Sequence, residues 1–401
     1  MSIVECNNQS NAIKLRNDYW NPNLQIWIIR LKYQTLPNLK VWTPMLNLMA
    51  VNNQSQSSPT MTETWTQYLR QTGAQFEDNT VIHFGQPVEE QQQALHSDIV
   101  TDLSHFGLIK VSGFDAEKFL QGQFTNDVRQ VTTKHSQLSA WCSSKGRIII
   151  NFRLLRRDDA YYLLLPSESV ATTLKRLQIY ILRAAVKLED VSDSLRSIGV
   201  AGANSTQILA DCLGYAPPSE IDASLTAEQV TVLRIPGTQP RYVIFSETVQ
   251  ELWQCLAKMA RPVGAAAWQL LDILTAVPQI VTKTTEKFVP QMVNYHIIGG
   301  VSFKKGCYTG QEVVARMQYL GSLKRRMYLA KIDTTTLVQP GDALYISTDK
   351  QNVGNIVNAQ VHPDGGVIVL AVIKINHAET DDIHWHNQQG ECLQLLDLPI
   401  H

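Results

Sequence analysis

Residues 299–320 read Gly299-Gly300-Val301-Ser302-Phe303-Lys304-Lys305-Gly306-Cys307-Tyr308-Thr309-Gly310-Gln311-Glu312-Val313-Val314-Ala315-Arg316-Met317-Gln318-Tyr319-Leu320. One cysteine sits between a glycine and a tyrosine, directly after two lysines. Nearby positive charge favours thiolate over thiol, which makes Cys307 the candidate functional thiol of the chain. Gly306 and Gly310 permit positive φ and predict a tight exposed turn around it. Gln311 and Glu312 then open a short helix, with Glu312 and Arg316 at i,i+4 spacing. No base is oriented toward the thiol by spacing alone: His296 is the nearest preceding histidine, and a cysteine–histidine dyad is unsupported.

Upstream of this stretch the pattern is α+β. A strand over 106–111 is closed by Ser112-Gly113, and Asp115 is placed to cap a helix carrying Phe119, Leu120 and Phe124. Strands over 138–142 and 148–155 flank Ser143-Ser144-Lys145-Gly146, and a third over 161–165 follows Asp158-Asp159. A helix with Val170, Leu174, Leu177 and Ile181 on one face comes next. A second round begins at 196–200 and continues through strands over 230–235 and 242–245 and a helix with Val249, Leu252, Trp253 and Leu256. Trp268 lies on a helix over 268–276 that stops before Pro278. Downstream, short β-type runs over 326–332, 343–347, 354–361 and 366–375 predict a small all-β, barrel-like domain.

The 401 residues are 44% hydrophobic and 18% charged, which supports a sizeable core and two or three domains. A formal net charge of −1 argues against a dedicated nucleic-acid binder, so direct tRNA binding is not expected beyond a local patch. The basic stripe Arg316, Lys324, Arg325, Arg326, Lys331 is such a patch, although a solvated strand edge explains it as well. The six cysteines (Cys6, Cys142, Cys212, Cys255, Cys307, Cys392) are scattered, so no metal cage is predicted and reduced thiols are expected. His384 and His386 share a strand face but lack a third ligand and are read as edge residues. No run approaches the ~20 apolar residues of a membrane span, nor does any resemble a secretory leader. A cytoplasmic monomer without a membrane partner is expected. Residues 1–60 are Asn-, Gln- and Ser-rich and are read as a disordered extension, with Met61 as an alternative start. Residues 61–96 are read as a linker and N-terminal approach, 97–300 as an α+β region of two lobes, and 301–401 as the β-domain.

The string Lys305-Gly306-Cys307-Tyr308-Thr309-Gly310-Gln311-Glu312 resembles the K-G-C-Y-x-G-Q-E signature of the YgfZ family, which shares its fold with the glycine-cleavage aminomethyltransferases (T-proteins). Residues 119–127 (FLQGQFTND) resemble its L-Q-G-Q-x-T-x-D element, Lys145-Gly146-Arg147 its K-G-[KR] turn, and Phe288-Val289-Pro290-Gln291 its F-[IV]-P-Q. The resemblance spans roughly 97–400. It implies an aminomethyltransferase-like, folate-binding fold with subdomains ringed around a central site for tetrahydrofolate or a derivative. By position, Phe106 and Trp268 correspond to the aromatic residues lining that site. Two departures stand out. The acidic pair of the aminomethyltransferases corresponds here to Ile150 and Asn151, so transferase chemistry is not expected. Leu274 replaces a glutamate present in many relatives before the helix-ending proline.

The resemblance therefore implies an accessory protein more than an enzyme. It would bind folate and support iron–sulphur enzymes, including radical enzymes that modify tRNA, with Cys307 on a loop beside the folate. A folate-dependent one-carbon transferase and a direct tRNA-binding module are the alternatives.

Overall fold

The computed structural model describes residues 61–399 apart from Asp381. The extension expected over 1–60 lies outside the described residues.

The first lobe is a five-stranded antiparallel sheet in the order Gln137–Cys142, Ile148–Arg157, Ala160–Pro166, Phe106–Ser112, Lys187–Asp190. Helices Ala116–Gln123 and Val170–Gln178 cover one face through Phe119, Leu120, Val170 and Leu177, packed on Ile109, Trp141, Phe152 and Leu163. The second lobe is a six-stranded sheet in the order Ser224–Ala227, Val230–Ile235, Arg241–Ser246, Arg196–Ala201, Ile99–Asp102, Arg261–Val263, antiparallel except for the last pair. The third unit is an all-antiparallel six-stranded sheet in the order Ile383–Trp385, Ala343–Ile346, Asp349–Val361, Val367–Lys374, Arg325–Ile332, Leu393–Leu396. It curls until a bridge between His384 and Cys392 joins its two edge strands, which removes most of the open edge. The fold is thus α+β with a barrel-like β-domain.

Helix Ala265–Leu274 lies at the centre of all three units. Leu270 and Ile273 pack with Leu138, Met327, Val357 and Leu370, while Ala267, Trp268 and Leu271 pack with Leu108, Leu164, Val243 and Phe245. No residue of 263–280 is exposed. The helix begins three residues earlier than its sequence predicts, because Ala265-Ala266-Ala267 after Gly264 are strong helix formers.

Three expectations are corrected. Residues 61–96 are not a linker: helix Met61–Gln71, hairpin Gln75–Glu77/Thr80–His83 and helix Pro87–His96 belong to the fold. Trp65, Leu69 and Val81 lie in the second lobe's core, and the Trp65 indole N–H donates to Asp102 at 2.6 Å. The β-domain does not open at residue 301. Its first strand starts at Arg325, and the preceding motif packs back onto the first lobe. The cysteines are not all free. Helices Ser205–Leu213 and Val249–Leu256 lie side by side, and Cys212 and Cys255 form a disulfide across a sequence separation of 43 residues. Only the folded pairing of two helices brings those positions together, so their spacing along the chain carries no sign of it.

A thiol titration of the denaturant-unfolded, unreduced protein should therefore leave Cys212 and Cys255 unreactive while Cys142, Cys307 and Cys392 react. Reduction should lower unfolding stability by about 4 kcal/mol, the chain-entropy value for a loop of this length. Six reactive thiols without reductant would mean that the bond does not form.

Candidate functional site

A cleft opens where the two lobes face the central helix. Its water-accessible interior is about 70 Å³ and, counting the open mouth, the hollow reaches about 590 Å³. The first lobe contributes Phe106, Leu138 and Phe152, the second Arg241 and Val243, and the central helix Trp268 and Asp272. Phe106 and Trp268, the two aromatic positions singled out from sequence, line the same cleft. Phe106 is half-buried, with its ring 4.4 Å from that of His105. Burial pushes the His105 imidazole down to about 3, so it is neutral at physiological pH.

Trp268 is 1% exposed and packed on both sides. The Arg241 guanidinium lies 4.2 Å from its ring centroid. Opposite, the backbone of Gly199 runs so near that a Cβ there would fall 2.5 Å from Cζ3 of the indole. The indole is thus a fixed wall of the cleft and its faces are already covered, which leaves Phe106 as the more available stacking ring.

Trp268 and Asp272 are one helical turn apart and share a face. Arg241 donates to Asp272 at 2.7 Å, and Gln279 Nε2 donates to the other carboxylate oxygen at 2.9 Å. Burial pushes the Asp272 carboxyl upward while Arg241 opposes it. Arg241 supplies the compensating positive charge, because a guanidinium stays protonated in proteins.

Sequence inspection missed both Arg241 and Asp272. The i,i+4 relation to Trp268 was the available signal for Asp272. Leu274, which stands in place of the relatives' glutamate, turns toward the apolar core shared with the β-domain. A carboxylate nonetheless reaches the cleft, from Asp272.

Ile150 is buried in the first lobe's core and carries no polar group into the cleft. Asn151 lines the cleft, but its amide donates to Pro278 O and accepts from Ile280 N, each at 2.7 Å. Both ends of this side chain are therefore spent on holding the chain that follows the central helix.

The thiol motif is built separately. Lys305 is buried and donates to Gln121 O at 2.8 Å, Phe124 O at 2.5 Å and Asn126 O at 2.9 Å. Burial pushes its ammonium down to about 8, with Asp127 opposing, so it remains protonated at neutral pH. The hydrogen bond from Arg129 holds the Asp127 carboxyl at about 2. Tyr308 is buried with its ring 5.2 Å from Lys305 Nζ, and burial pushes its phenol up. Gly310 has φ +82, and any side chain on it would collide with Ser143 O. Gly146 has φ +68, and a Cβ there would lie 2.8 Å from Val313 Cβ. The two glycines thus let the K-G-R turn and the cysteine motif interlock.

Between these anchors Cys307 is exposed. Lys304 is also exposed, whereas the Lys305 charge, expected to act on the thiol, is committed to three carbonyls. Gly306 does not use positive φ: it stands in open space and its carbonyl accepts from Gln311 Nε2 at 3.4 Å. Helix Gln311–Tyr319 follows, and Arg316 pairs with Glu312 at 3.1 Å on its exposed face.

Cys307 is not part of the cleft lining. The connection between them is indirect. Lys305 holds Asn126 O, and the Asn126 amide donates to Leu138 O at 2.9 Å on the cleft wall. Within the basic stripe, Arg316 is paired and Arg325 donates to Val353 O and Asn352 O, while Lys324, Arg326 and Lys331 form no ion pair among the described residues. His384 Nδ1 lies 2.8 Å from Gly390 O at the barrel edge. Among the described residues, no three metal-ligating side chains cluster.

The GCVT N-terminal domain family matches residues 66–238, starting some thirty residues before the resemblance read from sequence. Proteins named "tRNA-modifying protein YgfZ" align over most of the chain. The one from Colwellia psychrerythraea is 32% identical over 68% of this chain and 84% of its own length. The one from Edwardsiella ictaluri is 34% identical over 73% and 89%. The one from Escherichia coli O127:H6 is 31% identical over 74% and 91%. The crystal structure of glycine cleavage system aminomethyltransferase T from Bartonella henselae superposes with a TM-score of 0.68 at 15% identity, covering 84% of this chain and 97% of that one. That likeness establishes a common fold.

Replacing Lys305 with methionine should cost about 2–4 kcal/mol in urea unfolding, because three buried carbonyls lose a charged donor. An unchanged midpoint would show that the loop is held by other means.

Proposed function

The chain belongs to the YgfZ family, and on that footing we propose that it is a folate-binding accessory protein. It supports iron–sulphur enzymes and, through them, tRNA modification, with Cys307 as its functional thiol. It acts as a cytoplasmic monomer.

The convergence of Phe106, Trp268, Arg241 and Asp272 on one inter-lobe cleft carries the reading. A mostly apolar hollow with an aromatic wall and one fixed carboxylate suits a flat heteroaromatic ring with an amino edge. The Asp272 oxygens keep lone pairs beyond those used by Arg241 and Gln279 and can accept from such an edge. Phe106 supplies the stacking face. Bound tetrahydrofolate would supply a carrier for one-carbon units.

The chain's own residues do not favour aminomethyl transfer. Asn151 is neutral and bonded to backbone at both ends of its amide, Ile150 is apolar, and Asp272 is paired with Arg241. These features support an accessory role. The exposed Cys307 on a rigidly tethered loop suits thiol exchange or service as one provisional ligand; one thiolate cannot hold a cluster alone. Direct tRNA binding is the weaker reading, since Arg316 and Arg325 in the stripe already have protein partners.

Titration with tetrahydrofolate should change the tryptophan fluorescence saturably, and Phe106→Ala should weaken binding by about tenfold, the loss of one aromatic contact. Phe106 is the better position to test, because truncating the packed Trp268 would leave a large core cavity. The absence of any saturable change would remove folate from the proposal. Separately, Cys307→Ala should keep the melting temperature and folate affinity yet fail to restore thiomethylated tRNA nucleosides in cells lacking the protein. A fully active alanine variant would remove the thiol from the mechanism.

A further inference from the structure

Two loop tips project side by side from one end of the first lobe. One is the turn Gly113-Phe114-Asp115, after strand Phe106–Ser112. The other is the segment 179–185, after helix Val170–Gln178. Asp115 was expected to cap the helix that follows it, but its carboxylate accepts from Ala185 N at 2.8 Å, and its own N–H donates to Ala185 O at 3.3 Å. Gly113 has φ +113, and a side chain there would collide with Ala185 O, so the tips lock only with glycine at that position.

This clamp holds large apolar side chains out in water. Phe114 is 96% exposed, Leu182 91% and Ile179 70%. Tyr180 is partly exposed, with its ring edge-on to Trp141 at 5.8 Å. Leu182 also has φ +40, a strained conformation for a residue with a bulky side chain. Strain and apolar exposure are both unfavourable for the isolated fold, and their coincidence at one tip marks a surface made to be covered.

The charge around the tips indicates what covers it. Lys118, Lys175 and Arg183 are exposed and belong to no ion pair among the described residues. Over residues 113–118 and 175–187 the acids are Asp115 and Glu117, against Lys118, Lys175, Arg176, Arg183 and Lys187; Arg176 and Lys187 pair with Glu286 and Glu189, and the three remaining cations still outnumber the two acids. A second copy of the chain would bring like charges together. Side chains exposed over nine-tenths of their surface have no neighbouring walls, so the surface is convex and offers no groove for a peptide. A bilayer interface needs no wall: it takes up apolar tips between headgroups, seats tyrosine at the boundary, and attracts flanking cations when its lipids are anionic.

We propose that these clamped tips dock the protein peripherally and reversibly on an anionic lipid surface, with Phe114, Ile179 and Leu182 inserted and Lys118, Lys175 and Arg183 on the headgroups. The inference is independent of the folate reading.

Co-sedimentation of the full chain with phosphatidylcholine vesicles containing one-third phosphatidylglycerol tests it, against phosphatidylcholine alone. Binding should be at least about fivefold stronger on the anionic vesicles and fall with added salt. Phe114→Ser with Leu182→Ser should lower it about tenfold or more at an unchanged melting temperature, and Arg183→Glu should lower it further. In a Phe114→Trp variant, emission should shift to the blue on anionic vesicles and be quenched by brominated lipid. Failure to sediment with either vesicle would overturn the proposal and favour a protein partner. Binding that survives the double serine variant would also overturn it, by placing the contact elsewhere.

Discussion

The central helix Ala265–Leu274 is enclosed by three units at once, and most of what is distinctive about the site follows from that enclosure. A helix with no exposed face has to be apolar all round, and this one is, save for Gln269 and Asp272. A carboxylate largely withdrawn from water must be compensated within the protein. Arg241 from the second lobe supplies the compensating charge, and its guanidinium also covers the Trp268 ring. The ion pair therefore joins the lobe to the helix and forms the polar part of the cleft. Removing either partner would leave an unpaired buried charge, a change that typically costs several kcal/mol.

The motif loop follows a related logic with a different outcome. A buried ammonium needs acceptors, and Lys305 finds them in three carbonyls around the end of helix Ala116–Gln123. Gly146 and Gly310 bring the flanking turns into contact that no side chain would permit. The tether fixes the chain on both sides of Cys307 while the thiol itself stays in solvent. In this motif most of the residues hold one residue out. The lysine that looked like an electrostatic activator is a structural bolt, and the exposed Lys304 is the cation left beside the thiol.

The cleft and the thiol loop are linked indirectly, through the hydrogen bonds Lys305–Asn126 and Asn126–Leu138. Asn151 stands where a catalytic acid would be expected from the aminomethyltransferase resemblance, and it fastens the chain after the helix by two backbone hydrogen bonds. The common fold is thus kept with a neutral amide engaged in structure at that position, which fits a protein that uses the cleft for binding.

Much of the architecture was legible in the residues themselves. Strands 106–111, 138–142 and 148–155 alternate or run apolar between turn residues, and the observed strands Phe106–Ser112, Gln137–Cys142 and Ile148–Arg157 follow them within two residues. The β-domain was likewise visible, because strand periodicity and turn chemistry are local properties. So was the motif as a string, since a short spacing survives without folding. What the sequence could not disclose depends on partners distant along the chain. Trp65 and Leu69 read as linker because the core they enter is completed by Ile198, Val232 and Trp253. Cys212 and Cys255 pair only once two helices lie together. Arg241 and Asp272 acquire meaning only when the second lobe closes on the central helix, and Lys305 only when its carbonyls arrive from residues 121–126. Local pattern determined which elements form. Burial and charge compensation, which exist only in three dimensions, decided which side chains face the cleft, which are consumed as fasteners, and that the thiol of the motif is left outside.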